Sequence, residues 1–224
     1  MARTAATDPR KIRTRDALVR AGIDLFGGTS SDAVSIDDIV SAAGTSKQTF
    51  YNHFTDKQDM VRQILRLIRV RYEAKCAEVN ENEADPARRV ARALCVYGRL
   101  AMDDPEGGRF VARMLMEDLA IDSGPNQGVI HDLAAGLAES RLSVLVLETG
   151  VTFIFGATQA LVARILTCTE LSTATAVAQQ FAMLLLRAFG VAHLEAEIIS
   201  AQAADEIVRL GFDQAPSSQA LPSA

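Results

Sequence analysis

Residues 35–54 read SIDDIVSAAGTSKQTFYNHF, and the fold turns on how this stretch is read. Ile36, Ile39, Val40 and Ala43 fall at i, i+3, i+4 and i+7, one apolar stripe of a short helix. Ser35, followed three residues on by Asp38, predicts a capping pair with Asp in place of the usual Glu. Gly44 stands where that helix must stop, because glycine enters the left-handed backbone region at little cost. Ser46 can cap a second short helix in which Phe50 and Phe54 stack at i and i+4. Lys47, Gln48, Thr49, Tyr51, Asn52 and His53 are then left mostly on its outer surface. An amphipathic helix, a glycine turn and a second helix with a polar face describe a helix-turn-helix, whose second helix lies in the DNA major groove. A plain helical hairpin shares the same periodicity, so spacing alone leaves both readings open.

The wording of the stretch separates them. AlaAlaGly at 42–44, Ser46, Lys47, Thr49, Phe50-Tyr51, His53-Phe54 and Lys57 closely resemble the DNA-binding domain of the TetR family of transcriptional regulators. Upstream, Ala21 and Leu25-Phe26 fit that family's first helix, and Ser35-Ile36-Asp37-Asp38-Ile39 fits its second. The resemblance covers residues 10–60 and departs from the family pattern at three places. Ser30-Ser31 replaces a Gly-aromatic pair, Thr45 a small aliphatic residue that plugs the turn, and Gln48 a glycine at the exposed start of the recognition helix. A glutamine there can reach a base edge.

The resemblance implies an all-α protein: an N-terminal three-helix helix-turn-helix DNA-binding domain followed by a larger helical ligand-binding and dimerisation domain. The expected boundaries are a mobile basic arm at 1–9, the DNA-binding domain at 10–57, the effector-binding and dimerisation domain at 58–213, and a disordered tail at 214–224 rich in Pro, Ser and Ala. Within the reading head, Thr49, Tyr51 and Lys57 are the candidates for phosphate contacts, since hydroxyls donate single hydrogen bonds and an ammonium displaces counterions. Tyr51 and Lys57 match the family's usual backbone contacts. Lys47, Gln48 and Asn52 are the candidates for base edges, and His53 is either a phosphate contact or a surface residue. Ser35, Thr45 and Ser46 complete the candidate DNA-facing set. Lys11, Arg13 and Arg15 can reach flanking phosphates or the minor groove, or form a solvated basic arm.

Composition fits this division. The chain has 224 residues, 49% of them hydrophobic, and a net charge of −5 that does not announce a nucleic-acid binder. The balance is uneven: residues 1–57 carry eight cations against seven aspartates, and the remainder carries −6. A basic arm on an acidic body can bind phosphate while staying in solution. Cys76, Cys95 and Cys168 are far apart and outside any CxxC spacing, which suits free thiols in a reducing cytoplasm. The opening MARTAATDPRKIRTR lacks the apolar core of a signal peptide. The most apolar stretch, residues 144–166, is interrupted by Glu148 and Arg164, and the uncharged portion between them, about fifteen residues, is too short to span a bilayer. A soluble cytoplasmic protein without a membrane partner is expected.

Along the rest of the chain, a first helix is predicted from Arg10 to Phe26, burying Ile12, Leu18, Val19, Ile23 and Phe26, and stopped by GlyGlyThrSerSerAsp at 27–32. Thr55 with Gln58 predicts a capping box that opens a long helix to Val79, a rod of roughly 35 Å. Asp85 and Pro86 restart the chain as N-cap and first helical residue. Helices follow through Val90 to Leu100, through Phe110 to Leu115, and from Val129 to Ser140. Residues 142–147 are β-branched enough for a strand but have no partner, and are read as the lead into a helix reaching Thr167. Ser172 is expected to cap a helix ending at Phe189-Gly190, and His193 to Leu210 the last, closed by Gly211.

For the second part, small and apolar residues lie together on two helices: Phe153, Gly156 and Ala160, then Ala178, Phe181 and Leu185. They suit either intramolecular core or a four-helix bundle across a two-fold axis of a homodimer, which operator half-sites spaced one helical turn apart would need. Candidates for a pocket holding an unknown small, largely apolar effector are Tyr97, Met102, Phe110, Met114, His131, Phe155 and Gln159, each of which plain core also explains. His53, His131 and His193 have no metal-ligand spacing with one another or with the cysteines, and no glycine-rich phosphate loop follows a strand. No cofactor, metal site or enzymatic activity is expected. The function expected is a sequence-specific regulator acting on double-stranded operator DNA as a ligand-released repressor. An activator, or a DNA binder whose second part is a dimerisation or partner-interaction module, is the alternative.

Overall fold

The computed structural model describes residues 9–117 and 126–212, and every regular element among them is helical. The order is α1 (Pro9–Gly28), α2 (Ile36–Ala42), α3 (Lys47–Tyr51), α4 (Lys57–Val79), α5 (Pro86–Asp103), α6 (Pro105–Met114), α7 (Gln127–Ala138), α8 (Leu147–Ile165), α9 (Leu171–Ala188) and α10 (His193–Ala203). α10 continues through Ala204–Arg209 in wider, π-type turns, where one regular helix to Leu210 was expected. The arm expected at 1–9 falls outside the described residues except for Pro9, and the tail expected at 214–224 lies outside them entirely.

Most predicted ends hold, and the exceptions have local causes. α1 runs through Gly27 and Gly28, and Ile12 is 46% exposed because the first turns of α1 stand clear of the core. α4 is capped by Asp56, whose side chain accepts from the Asp59 N–H, while the Thr55 N–H donates to the Asp59 carboxylate at 2.9 Å. The cap therefore lies one residue further on than Thr55, and Asp59 reaches back to the residue before the cap rather than to the cap itself. Ser172 lies inside α9, which follows Glu170 without a side-chain cap. Residues 142–146 are neither strand nor helix; the Ser143 N–H donates to the Phe189 carbonyl at 2.8 Å, tying this segment to the end of α9.

α4 is the axis of the molecule. Met60, Val61, Ile64, Leu65, Tyr72 and Cys76 are buried along one stripe, first against α1 and then against α5 and α7. Its last turn is closed by cations: Arg92 Nη2 donates to the Val79 carbonyl at 2.9 Å and Arg89 Nη1 to the Asn80 carbonyl at 2.8 Å. Those carbonyls have no partner within the helix, and the helix dipole favours positive charge there. A second tie joins the two ends of the molecule. α6 packs on α1, with Phe26 edge-on to Phe110 at 6.4 Å between ring centres and Arg113 Nε donating to the Gly27 carbonyl at 2.9 Å. α5, α8, α9 and α10 enclose the larger core.

Candidate functional site

The reading head is assembled almost entirely from neighbours in sequence. The Ser35 side chain accepts from the Asp38 N–H at 3.2 Å and the Ser35 N–H donates to the Asp38 carboxylate at 2.9 Å, the reciprocal box predicted for α2. That carboxyl is held below its ordinary value, chiefly by its hydrogen bond from the Ser35 hydroxyl. Gly44 takes φ +62°, and the Thr45 N–H donates back to the Val40 carbonyl at 2.9 Å, so the left-handed turn sets the angle between α2 and α3. Ser46 caps α3 by accepting from the Thr49 N–H. Phe50 and Phe54 are fully buried, with ring centres 5.4 Å apart, and join the same buried cluster as Leu18 and Phe26 of α1 and Met60 of α4.

The remaining side chains of α3 face outward. Lys47, Gln48, Tyr51 and Asn52 are exposed, Thr49 and His53 are half-buried, and Tyr51 stands edge-on to Phe50. Lys47 is paired with Asp37 at 2.9 Å, and the carboxylate holds its ammonium above the usual lysine range. An exposed pair of this kind is weak and can be exchanged for a base or a phosphate. The Gln48 amide only grazes Asn52, at 3.4 Å. His53 is pushed down first by burial and then by Lys11 and Arg15, which places the start of α1 beside the end of α3. Arg15 also donates to Gln63 at 2.9 Å and lies over the Phe54 ring.

Lys57, a candidate for a phosphate contact, is engaged within the chain. Its Nζ donates to the carbonyls of Ser31 at 2.6 Å and Val34 at 2.8 Å, so two of its three donors pin the connection between α1 and α2. Ser35 and Ser46 have capping bonds, and Thr45 is half-buried at the turn.

At the opposite end of α4, α4, α5, α7 and α8 surround a cavity of about 80 Å³. Its polar lining comprises Glu73 of α4 and Asn80 just past its end, Arg89 of α5, Asp132 of α7 and Thr158 of α8. Apolar walls come from Val90, Leu94, Val129, Ile154 and Phe155. Tyr97 donates its hydroxyl to Glu73 at 3.0 Å, and Arg89 Nε donates to Asp132 at 2.6 Å. Burial pushes the Glu73 carboxyl up to about 7, while the Tyr97 hydrogen bond and the Arg69 guanidinium pull it down. Gly128 permits the closure: a Cβ there would stand 2.7 Å from Glu73 Oε2.

Of the residues proposed for a pocket, Tyr97 and Phe155 line this cavity. Phe110 and Met114 are buried in core outside its lining, Met102 and Gln159 are half-buried away from it, and His131 is exposed on α7. Glu73, Asn80, Arg89 and Asp132 were missed. The signal available was polar residues inside apolar registers: Arg69 falls between Leu65 and Tyr72 on the buried stripe of α4, and its guanidinium lies 4.9 Å over the Phe155 ring.

The outer faces of α8 and α9 carry Phe153, 47% exposed, and Ala160, also exposed, with Gly156 and Phe181 half-buried. A Cβ at Gly156 would meet nothing within 4 Å. Ala178 and Leu185 point into the chain's own core and are unavailable to a second copy.

A short exposed helix set by a glycine turn and two buried aromatic rings defines a helix-turn-helix DNA-binding protein. Residues 18–64 match the family described as bacterial regulatory proteins, tetR family, and residues 85–202 match the tetracyclin repressor-like C-terminal domain. The chain belongs to the TetR family of transcriptional regulators. Members of this family are DNA-binding proteins rather than enzymes; they dimerise and bind small-molecule ligands. The uncharacterized HTH-type transcriptional regulator YwcC of Bacillus subtilis (strain 168) is 40% identical over 52 residues, which span 23% of this chain and 23% of that protein. Among solved structures, RolR in complex with resorcinol is 26% identical, with a TM-score of 0.63 over 86% of this chain and 95% of that one. A tetR family structure from Shewanella sp. PV-4 has the same fold at 16% identity, with a TM-score of 0.65 over 80% of this chain and 99% of that one. No helix among the described residues is long and apolar enough to cross a membrane.

Proposed function

We propose that the chain is a homodimeric, ligand-released repressor working in the cytoplasm: residues 10–57 read operator DNA, and residues 58–213 bind the effector and dimerise. The observation that carries this reading is that one helix serves both ends. α4 supports the reading head through Lys57 and Met60, and its far end supplies Glu73 and Asn80 to the cavity. The likeness to RolR, solved with resorcinol, favours a small molecule as occupant.

In this scheme Lys47, Gln48 and Asn52 meet base edges, while Thr49 and Tyr51 meet phosphates and His53 donates as a neutral ring. Two reading heads must lie about 34–36 Å apart to engage adjacent half-sites, and the exposed faces of α8 and α9 around Phe153 and Ala160 supply the dimer contact. An effector that favours the conformation with wrongly spaced heads weakens DNA binding, and by linkage DNA weakens effector binding by the same factor.

The test is fluorescence anisotropy of the full chain on DNA flanking its own gene and on shuffled DNA, at two salt concentrations. Tight, salt-dependent binding of two chains with a clear preference for the native fragment is expected. Weak and equal binding to both fragments would overturn the assignment as an autogenous sequence-specific regulator.

A further inference from the structure

The hydrogen-bonding groups around the cavity are used asymmetrically. Most of its donors are committed within the protein: Tyr97 to Glu73, Thr158 to the Ile154 carbonyl at 2.8 Å, and the Asn80 amide to the Arg89 carbonyl at 3.0 Å. Arg89 uses Nε on Asp132 and Nη1 on the carbonyls of Asn80 and Glu83. The acceptors are not all committed. Glu73 accepts through Oε1 and Asp132 through Oδ1, and no described residue bonds Glu73 Oε2 or Asp132 Oδ2. Asp132 is 5% exposed, so its remaining capacity lies inside the molecule, along the cavity wall.

We propose that this cavity takes a compact, uncharged molecule that donates hydroxyl hydrogen bonds to Glu73 and Asp132. The inference rests on the cavity being the effector site, as proposed above. Size favours a compact guest over a long chain: about 80 Å³ is several times the roughly 10–15 Å³ that one water needs. A carboxylate or phosphate would bring acceptors and negative charge against two acids. An amine would bring donors, but Arg89 already pairs with Asp132, and the Arg69 guanidinium sits beside Glu73 and over Phe155. A third cation would be repelled there. A hydroxylated ring satisfies both the open acceptors and the apolar walls.

Calorimetric titration of the full chain with 1,3-dihydroxybenzene, 1,3-dimethoxybenzene, benzylamine and benzoate tests this. The dihydroxy compound should bind about tenfold or more tightly than the other three. Glu73→Gln should lower its affinity about tenfold and leave the dimethoxy compound unaffected. Ala93→Phe, which fills the cavity and keeps both acids, should abolish binding. Gly128→Ala, which presses on Glu73, gives a second route to weakened binding should Ala93→Phe fail to fold. Equal binding of the dihydroxy and dimethoxy compounds, preference for the amine or benzoate, indifference to these substitutions, or no binding at millimolar concentration would each overturn the inference. Binding as expected that leaves DNA affinity unchanged would uphold this ligand class and overturn the effector role.

Discussion

At one end of α4 stands a recognition helix of five residues, held by a serine cap, a glycine turn and two phenylalanines, all within about three helical turns of sequence. At its other end lies a cavity to which α4, α5, α7 and α8 each contribute one or two polar groups from positions spread between Glu73 and Thr158. The first is specified by local chemistry and exposes what it uses; the second exists only when distant helices pack, and buries what it uses. The contrast teaches where each end is vulnerable. Surface substitutions on α3 should alter recognition and spare the fold, whereas substitutions around the cavity act on stability, proton uptake and ligand together.

The largest effect is expected where the reading head depends on buried apolar area. Phe54→Ala removes a ring that is 1% exposed and should cost about 3–5 kcal/mol in urea unfolding, with DNA binding lost alongside. Loss of DNA binding at unchanged stability would break the comparison, since Phe54 would then be part of the reading surface. Lys57→Met comes next, at about 1–3 kcal/mol, because it leaves the carbonyls of Ser31 and Val34 without their donor. Affinity for all DNA sequences should fall with the salt slope unchanged; a phosphate contact would instead reduce that slope by about one ion.

Gln48→Ala should relax preference at one base position by about 1–3 kcal/mol, visible in a binding-site selection, while Tyr51→Phe should weaken all sequences alike. Uniform loss in both variants would erase the division between base and phosphate contacts. The smallest effect belongs to the cavity. Burial lifts Glu73 from 4.5 to about 7, so between those values the folded protein holds a proton that the unfolded chain has lost. Stability should fall as pH rises through this window and level off above it. Glu73→Gln should remove a slope worth on the order of 1–2 kcal/mol, reduced from the full shift because the carboxyl opens onto the cavity. Identical pH profiles for the two proteins, compared by chemical unfolding, would show that Glu73 titrates as an ordinary surface acid.

How much was legible follows from the same contrast. The capping box at Ser35, the turn at Gly44 and the Phe50/Phe54 pair could be read because each is a spacing of a few residues, and each is present. The carbonyl contacts of Lys57 were not legible because sequence cannot tell an ammonium that meets only phosphate from one that also reaches back to carbonyls more than twenty positions away. Ala178 and Leu185 were offered to a partner because small and apolar residues fit both faces of α9, and only packing shows that they turn inward. Glu73 and Asp132 escaped notice because an acid among solvated helix faces looks the same in sequence as one that lines a cavity. Arg69 alone broke an otherwise apolar stripe, and it stands beside Glu73.

The claim on which the rest depends is that the exposed side of α3 discriminates sequence while the surrounding cations bind DNA of any sequence. It is tested most directly by the ratio of affinities for the fragment flanking the gene and for shuffled DNA, in the natural protein and in Lys47→Ala/Gln48→Ala. A large ratio that falls toward one in the double variant, with affinity for shuffled DNA largely kept, is the predicted result. A ratio that survives the loss of both side chains would contradict it and move recognition away from the start of α3.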